Sequence, residues 1–512
     1  MDFDKDLIGK ILDPIHGIIR LTALELQFVN HALFQRLRNI KQNTFLYKVF
    51  PSAMHSRFEH SLGVMHLSYE IIKNLKLNAY RYQNKYEDEY IFNGIGKLPL
   101  KNIQELRLAA LLHDIGHGPM SHQFDSFMCK KEALKVHLGE EFDDVFSMIP
   151  DGSYIEHEHI SIMFVKIIYD SLDVESREKI NINNVMKIIE SKYKDKKIMV
   201  SVGGNPFDVL PLFTSIISSC PIDADRMDYL LRDSYFSGVK CGVYDYNRLF
   251  MSVVPVITEN KIFLAYKESG IDSVVEFINA RSSLFGQVYY HKTNRAFSAM
   301  LANVCQIAKK KESGEALSLF DFHEEGDVDI VESKAKQLEN FYIKNSDNYF
   351  LREQLLTFVS DSEFPDVGQS IINDINNRVP WCKIYESKIY IENPKVTDKA
   401  DAAFVHGLKE KLNETLLHYF DDYLFAVDIV TDNAFKDIDK TEIKLLEKNI
   451  SNGYDVNKFS DGGNKLDRYQ SIKYFIRVFV SRSMESQVTD DILRKVEADR
   501  LVWVALSEGE LR

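Results

Sequence analysis

Apolar residues recur every three to four positions through most of the first 300 residues, as in ELRLAALLHDIG (105–116) and SVVEFINARSSLFGQVYYHKTNRAFSAMLANVCQIAKKK (273–311). That spacing lines one face of a helix with side chains that must leave water, so this part is predicted to be mostly α. Turn residues fall between the helical stretches, at DPIHG (13–17), GHGP (116–119) and VGGNP (202–206). One hairpin is predicted in SVVPVITENKIFLAY (252–266), where two β-prone runs flank Glu259-Asn260. Past residue 310 charged helices alternate with the β-prone runs CKIYESKIYI (382–391), YLFAVDIV (423–430) and YFIRVFVSR (474–482), which predicts a mixed α+β region. The polar stretch 449–470, with Gly453, Gly462 and Gly463, reads as a mobile loop or weak linker. The expected fold is therefore mainly α: a helical core over 1–310 and a smaller α+β region over 311–512.

Composition narrows the class. A chain of 512 residues, 45% hydrophobic, can bury a large core. With 63 basic and 76 acidic residues the formal charge is −13, so no global positive field draws in nucleic acid or an acidic membrane, and an anionic ligand must meet a local cluster of cations. The five cysteines (Cys129, Cys220, Cys241, Cys305, Cys382) are odd in number and far apart, without a CxxC pair. The start, MDFDKDLIGKIL, lacks the basic and apolar blocks of a signal peptide. No apolar stretch approaches the roughly 20 residues that span a bilayer. These features read as a reduced, cytoplasmic protein.

The candidate chemistry lies in four short stretches. His60 in HSRFEHS, His113-Asp114 in LLHDIGHGPMSH and Asp225 in PIDADRMDYLLRD form an H…HD…D set that can hold one divalent metal ion. Imidazole nitrogens and carboxylate oxygens suit zinc, manganese, iron or nickel, and an open position on such an ion makes hydroxide available near neutral pH, which points to phosphate hydrolysis. RLAALLHDIGHGP reads as a buried helix delivering His113 and Asp114 at its C-terminal end, before Gly116 and Gly118-Pro119 stop it. A polar pair after an apolar turn is costly to bury without partners, and a metal supplies them. Taken singly, His60 also fits an ordinary histidine of an amphipathic helix, and Asp225 a solvated acid; the specificity lies in the conjunction.

In this order the stretches resemble the HD-domain deoxynucleoside triphosphate triphosphohydrolases, the group that includes the vertebrate SAM-and-HD-domain enzyme and bacterial dGTPase-like proteins. The resemblance rests on DPIHG (13–17), FQRLRNIKQ (34–42), FPSAMHSRFEHSLGV (50–64), LLHDIGHGPMSHQFD (111–125), IDADRMDYLLRD (222–233) and YYHK (289–292), and covers about three fifths of the chain. It implies an HD-domain helical core and the metal ligands His60, His113, Asp114 and Asp225. It also implies His117 at the α-phosphate, His122 supported by Asp125 as proton donor to the leaving 5′ oxygen, and His157 as a further histidine near that phosphate. The three-residue step from His122 to Asp125 independently allows one to orient the other on a helix. His159, two residues past His157, reads as a surface polar residue.

For the substrate the resemblance implies Arg57, Arg226, Tyr229 and Arg281 around the triphosphate, with Lys292 beside them. Asp233 and Gln42 fall at the sugar 3′-hydroxyl, and Tyr289 against the 2′ carbon, where a ring excludes ribonucleotides. Arg226 stands where some members have lysine, which keeps charge but alters geometry. Phe285 reads as core packing. The implied cofactor is one divalent ion per site (Mn, Fe, Zn, Ni or Mg), with room for an additional Mg carried by the triphosphate. A homo-oligomer, tetramer or hexamer, follows from the same resemblance, with the 311–512 region serving oligomerisation or regulation. Activation by a nucleotide is a family trait, but Asn30 occupies the place of the Asp that reads a guanine activator, while Gln35 and Arg38 are retained. No SAM-like helical domain is expected ahead of Asp13-Pro14. Two other readings stay open: an HD phosphodiesterase on a cyclic, oligomeric or alarmone nucleotide, and a nucleotide-sensing or nucleic-acid-binding defence protein. The charge of −13 and the lack of an aromatic-basic tract weigh against the second.

Overall fold

The structure is a computed structural model that describes residues 3–82, 90–190, 197–218, 222–310, 333–392, 398–433, 441, 443–448, 454–459 and 471–511. It is mainly α. The helices that build the site are α1 (Arg57–Tyr82), α2 (Leu100–Leu112), α3 (His157–Ser171), α4 (Ala224–Ser237), α5 (Ile271–Leu284) and α6 (Lys292–Lys309). Two more, α7 (Asp398–Leu416) and α8 (Asp490–Leu511), lie in the C-terminal part. The apolar faces pack as the helical period requires. Leu106, Leu108, Leu111 and Leu112 of α2 are all shielded from solvent. Each such side chain stabilises the fold by about 1.5–3 kcal/mol, so the end of α2 that carries His113 is firmly anchored.

Strands are more numerous than the hydrophobic pattern of the first 300 residues suggests. β1 (Gly9–Asp13) and β2 (Gly17–Leu21) form an antiparallel hairpin. Its turn is DPIHG, where the Asp13 carboxylate accepts from the backbone N–H groups of Ile15 (2.8 Å) and His16 (2.9 Å). β3 (Met199–Val202) and β4 (Asn205–Asp208) pair through Gly203-Gly204, both at positive φ. The expected hairpin is present as β5 (Val253–Thr258) and β6 (Lys261–Lys267), with Glu259 and Asn260 at φ 50° and 60°. Then follow β7 (Cys382–Glu392), β8 (Phe425–Asn433), β9 (Lys444–Lys448), β10 (Tyr454–Lys458) and β11 (Ser471–Val480).

Three sheets result: β1-β2, a six-stranded sheet in the order β10-β9-β6-β4-β3 with β5 on β6, and β7-β11-β8. β10 falls inside 449–470, so part of that stretch is strand and not loop; the remainder, apart from Phe459, lies outside the described residues. Short, two-sided strands carry weak alternation, which is why the sequence does not reveal β1–β4 or β10. On β11, Tyr474, Ile476, Val478 and Val480 are buried in a second hydrophobic cluster with Leu408, Leu412 and Leu416 of α7 and Val496 of α8. The larger cluster takes in residues from both sides of position 310, among them Phe341, Tyr342, Ile371, Leu445 and Leu446. Among the described residues the four cysteines Cys129, Cys241, Cys305 and Cys382 are free, while Cys220 lies outside them. No described helix is long and apolar enough to cross a membrane.

Candidate active site

His113 is the C-cap residue of α2, and its Nδ1 donates to the Ala110 carbonyl at 2.9 Å, which leaves Nε2 as the acceptor edge of the ring. His60 sits in the first turns of α1 and donates from Nδ1 to the Asp228 carboxylate at 2.8 Å, so its Nε2 is likewise presented. Asp225 arrives from α4, whose start is fixed by Asp223 as N-cap, accepting from the Arg226 N–H at 2.7 Å. The four expected ligands converge. His60 Nε2 lies 3.0 Å from Asp225 Oδ1 and 3.8 Å from Asp114 Oδ2, and His113 Nε2 lies 3.5 Å from Asp114 Oδ1 and 3.9 Å from Asp225 Oδ1.

These groups fit a cation. His60 Nε2 and His113 Nε2 are buried without a well-formed hydrogen bond, an arrangement that two protein carboxylates alone do not satisfy. Burial disfavours protonation of His60, but the adjoining Asp225 and Asp228 carboxylates outweigh it and push its pKa up to about 10. A negative potential of that size is what a divalent ion would relieve. Asp114 is held well below the usual carboxylate range, because His113, Arg57 and His117 outweigh its burial. Nitrogen and carboxylate donors in this mixture suit zinc, iron, manganese or nickel.

The support beneath the ligands is a buried network that the sequence reading did not single out. Asp228 accepts from His16 Nε2 (2.7 Å), His60 Nδ1 (2.8 Å), and Arg232 Nε (2.8 Å) and Nη2 (2.9 Å), while Arg232 also donates to Asp13 at 2.8 Å. Gly63 on α1 makes room for it: a Cβ there would lie 1.8 Å from Asp228 Oδ1. The loop after the His-Asp pair is held by Arg36, which donates to the carbonyls of Ile115 and His117, and by Ser161, whose hydroxyl receives the Gly116 N–H at 2.8 Å. Only spacing hinted at these roles, since Asp228 and Arg232 follow Asp225 at three and seven residues.

Above the ligand set opens a cavity of about 500 Å³. His117, His122 and His157 cluster at one side. The rings of His117 and His157 stack at 3.8 Å, and His122 Nδ1 lies 3.2 Å from Asp125 Oδ2. Burial, reinforced by Arg57, holds the His117 pKa well down, and burial lowers that of His157 to about 4, so both rings are neutral. Arg57 binds Asp114 and, through Nε, the Ser121 hydroxyl at 3.1 Å. At the other side Asp233 accepts from His55 Nε2 (2.5 Å), Asn43 (2.9 Å) and the Tyr289 hydroxyl. Gln42 lines the cavity with a buried Oε1 that has no hydrogen-bond partner.

Other expected residues lie differently. Arg226 turns its guanidinium onto Asp223 and does not line the cavity. Arg281 reaches it indirectly, donating to the Tyr229 hydroxyl at 3.4 Å and lying over the Phe285 ring at 4.5 Å. Lys292 is exposed at the start of α6. Phe285 lines the cavity and is only half-buried, not core, because α5 passes there into a π-helical turn, Phe285–Tyr289, that turns it outward. His159 is buried and not superficial: its Nδ1 accepts from the Glu156 N–H at 2.9 Å, closing the first turn of α3. Asn43, His55 and Glu158 join the site without having been anticipated.

A family model described as "HD domain" matches residues 57–233, a span that runs from Arg57 to Asp233 and so contains all four of the clustered candidate ligands. The chain carries an HD domain. An uncharacterized protein of Bacillus subtilis is 32% identical over 302 residues, 58% of this chain and 55% of its own length, so the chain spans little more than half of that relative. A Dictyostelium discoideum protein named deoxynucleoside triphosphate triphosphohydrolase SAMHD1 homolog is 26% identical over 447 residues, covering 86% of this chain and 71% of that one. A solved structure of a phosphohydrolase from Bacteroides thetaiotaomicron shares the fold of the HD-domain chain, with a TM-score of 0.58 at 22% identity over 93% of this chain and 100% of that one.

Proposed function

We propose that this HD-domain protein hydrolyses deoxynucleoside triphosphates to deoxynucleoside and inorganic triphosphate. The observation that carries the reading is the pair of buried, unsatisfied Nε2 atoms of His60 and His113 beside Asp114 and Asp225, beneath a cavity with histidines and Arg57 at one side and sugar-sized polar groups at the other. The name of the Dictyostelium relative supports the same substrate class. When bound, a divalent ion would supply Lewis acidity and a water of lowered pKa.

The chain's own residues do the rest. Arg57 meets the α-phosphate edge with a charge already oriented by Ser121, and neutral His117 and His157 donate or accept there without adding like charge. His122 is exposed, donates from Nδ1 to Asp125 and, when a second proton sits on Nε2, gives that one to the departing 5′ oxygen, leaving a neutral ring. Asp233 uses three of roughly four acceptor positions on its carboxylate, leaving one for a 3′-hydroxyl. The Tyr289 ring, held by its hydroxyl on Asp233, is the group that in this reading excludes a 2′-hydroxyl. The metal ligands, catalytic histidines and sugar-side residues, the division at 310 and assembly into a homo-oligomer are all part of this reading.

The test incubates metal-reconstituted protein with each dNTP, with GTP, and with mixtures, and separates the products. Triphosphate plus deoxynucleoside is expected. His122→Ala should slow turnover about 10²–10⁴-fold, the usual size of a lost general acid. Wild-type turnover in that variant, or no product from any dNTP, would overturn the reading and move attention to cyclic and alarmone nucleotides.

A further inference from the structure

Asp347 lies on the far side of position 310 from every residue assigned to the site, yet it reaches into the frame of that site. It begins a short helical turn, Asp347–Tyr349, which Ser346 caps by accepting the Tyr349 N–H at 3.2 Å. The residue is buried, with 4% of its surface exposed. Its Oδ1 accepts the Met120 N–H at 2.7 Å and its Oδ2 the Lys41 N–H at 2.8 Å, from segments 227 and 306 residues away in the chain. A buried charge is costly to desolvate, and an ionised acceptor makes the stronger hydrogen bonds. A carboxylate used for two backbone N–H groups therefore fixes backbone position.

The backbone that it holds is strained. Met120 and Ser121 both adopt left-handed φ, 61° and 53°, which side chains disfavour. Among the described residues the other adjacent non-glycine pair of this kind is Glu259-Asn260, in the turn of the β5-β6 hairpin, where two left-handed residues are usual. Met120 and Ser121 belong to no hairpin and are both buried, so the surrounding contacts must hold them. Thr44 Oγ1 donates to the Met120 carbonyl at 3.1 Å, and the Ser121 hydroxyl donates to the Lys41 carbonyl at 3.3 Å. Lys41 is thus tied to the strained pair at both ends of its backbone, through Asp347 at its N–H and through Ser121 at its carbonyl. The next residue is His122. Its side chain is 70% exposed, so the backbone beneath it sets where the imidazole stands.

We propose that Asp347 is a positioning residue for hydrolysis: by bridging Met120 to Lys41 it holds the left-handed pair that sets the place of His122. The region past 310 then supplies part of the active-site frame. The kinetic arm of this inference rests on the proposed function, in which His122 is the proton donor; the backbone arm does not.

Asp347→Asn keeps the shape of the side chain, but an amide has one acceptor oxygen, so one of the two N–H groups faces an NH2 and the bridge is cut. Hydrogen exchange, followed by mass spectrometry on the full-length protein without nucleotide, reads the backbone. Segment 118–124 or segment 39–43 should exchange about 10-fold faster, while 408–416 in α7 keeps its wild-type rate. Turnover of dNTP reads the consequence. Asp347→Asn should lower kcat about 10²-fold, the size of a 1 Å misplacement. In a His122→Ala background the same change should cost less than about 2-fold, because the group it positions is gone; a general loss of folded protein would lower both backgrounds equally. Wild-type exchange in both segments, or equal losses in the two backgrounds, would overturn the proposal. If Asp347→Asn does not fold, Thr44→Val removes the other hold on Met120 and should show the same faster exchange at 118–124 and the same dependence on His122. Wild-type exchange and kcat in that variant would overturn the proposal too. A wild type that hydrolyses no dNTP, with exchange responding as described, would refute the proposed function and leave the backbone role of Asp347 standing.

Discussion

Asp228→Asn tests the network beneath the ligands, because it changes one charge and almost no volume. Asp228 is fully buried and accepts four hydrogen bonds, from His16, His60 and twice from Arg232. Its carboxyl is held well below the usual range, since Arg232, His16 and His60 outweigh the cost of burial. An amide at that position offers one acceptor oxygen and turns an NH2 group toward donors, so about half of these bonds are lost. Arg232 keeps only Asp13 as an ionic partner. Removing one member of a buried pair costs about 3–5 kcal/mol. Against an unfolding entropy of about 1 kcal/mol/K for 512 residues, the melting temperature should fall by roughly 3–5 °C.

The same change affects metal affinity. His60 donates from Nδ1 to Asp228, and that bond fixes the tautomer that leaves Nε2 as a ligand. Facing an amide NH2, the ring would carry its proton on Nε2 instead. Loss of such an orienting partner lowers metal affinity about 10–100-fold, roughly 1.4–2.7 kcal/mol. Competition against a chelator of known affinity gives the first quantity, and thermal unfolding of the apo-protein the second. A variant with wild-type affinity and wild-type melting temperature would show that the network does not orient His60.

Three further outcomes follow from the geometry. Gly63→Ala should reproduce both effects of Asp228→Asn, because the new Cβ would sit 1.8 Å from Asp228 Oδ1 in a helix that cannot yield; apo melting and metal competition check it. Tyr289→Phe should keep the preference for deoxynucleotides while weakening substrate about 10-fold or more through the lost bond to Asp233, whereas Tyr289→Ala should admit ribonucleotides; kcat/KM for matched dNTP and NTP pairs decides. Burial, with His16, Lys73 and Arg107 adding to it, lowers the His66 pKa from 6.5 to about 3. The unfolded chain therefore binds that proton first as pH falls, so the stability contribution is intact above 6.5 and is lost toward 3. His66→Gln should shrink the stability difference between pH 7 and pH 5 by about 1–2 kcal/mol in urea unfolding, and an unchanged difference would refute the assignment.

Local chemistry by itself determined much of this protein. Apolar residues at helical spacing specified α2, and the Gly-rich break after it placed His113 and Asp114 at the helix end. The three-residue step of His122 and Asp125 survives as a contact in the turn Ser121–Phe127. Asp225, Tyr229 and Asp233 share a face because they are four residues apart on one helix. Tertiary structure alone decided the rest, because those outcomes depend on which distant groups meet. Asp228 and Arg232 look like ordinary helix charges until His16, His60 and Asp13 surround them. Arg226 looks like a phosphate ligand until the helix cap Asp223 takes its charge. Phe285 reads as core until a π-helical turn rotates it to the cavity. β9 and β10 enter the six-stranded sheet only because β6, nearly 180 residues earlier, offers an open edge, and a pairing between such remote segments leaves no periodic trace in either one.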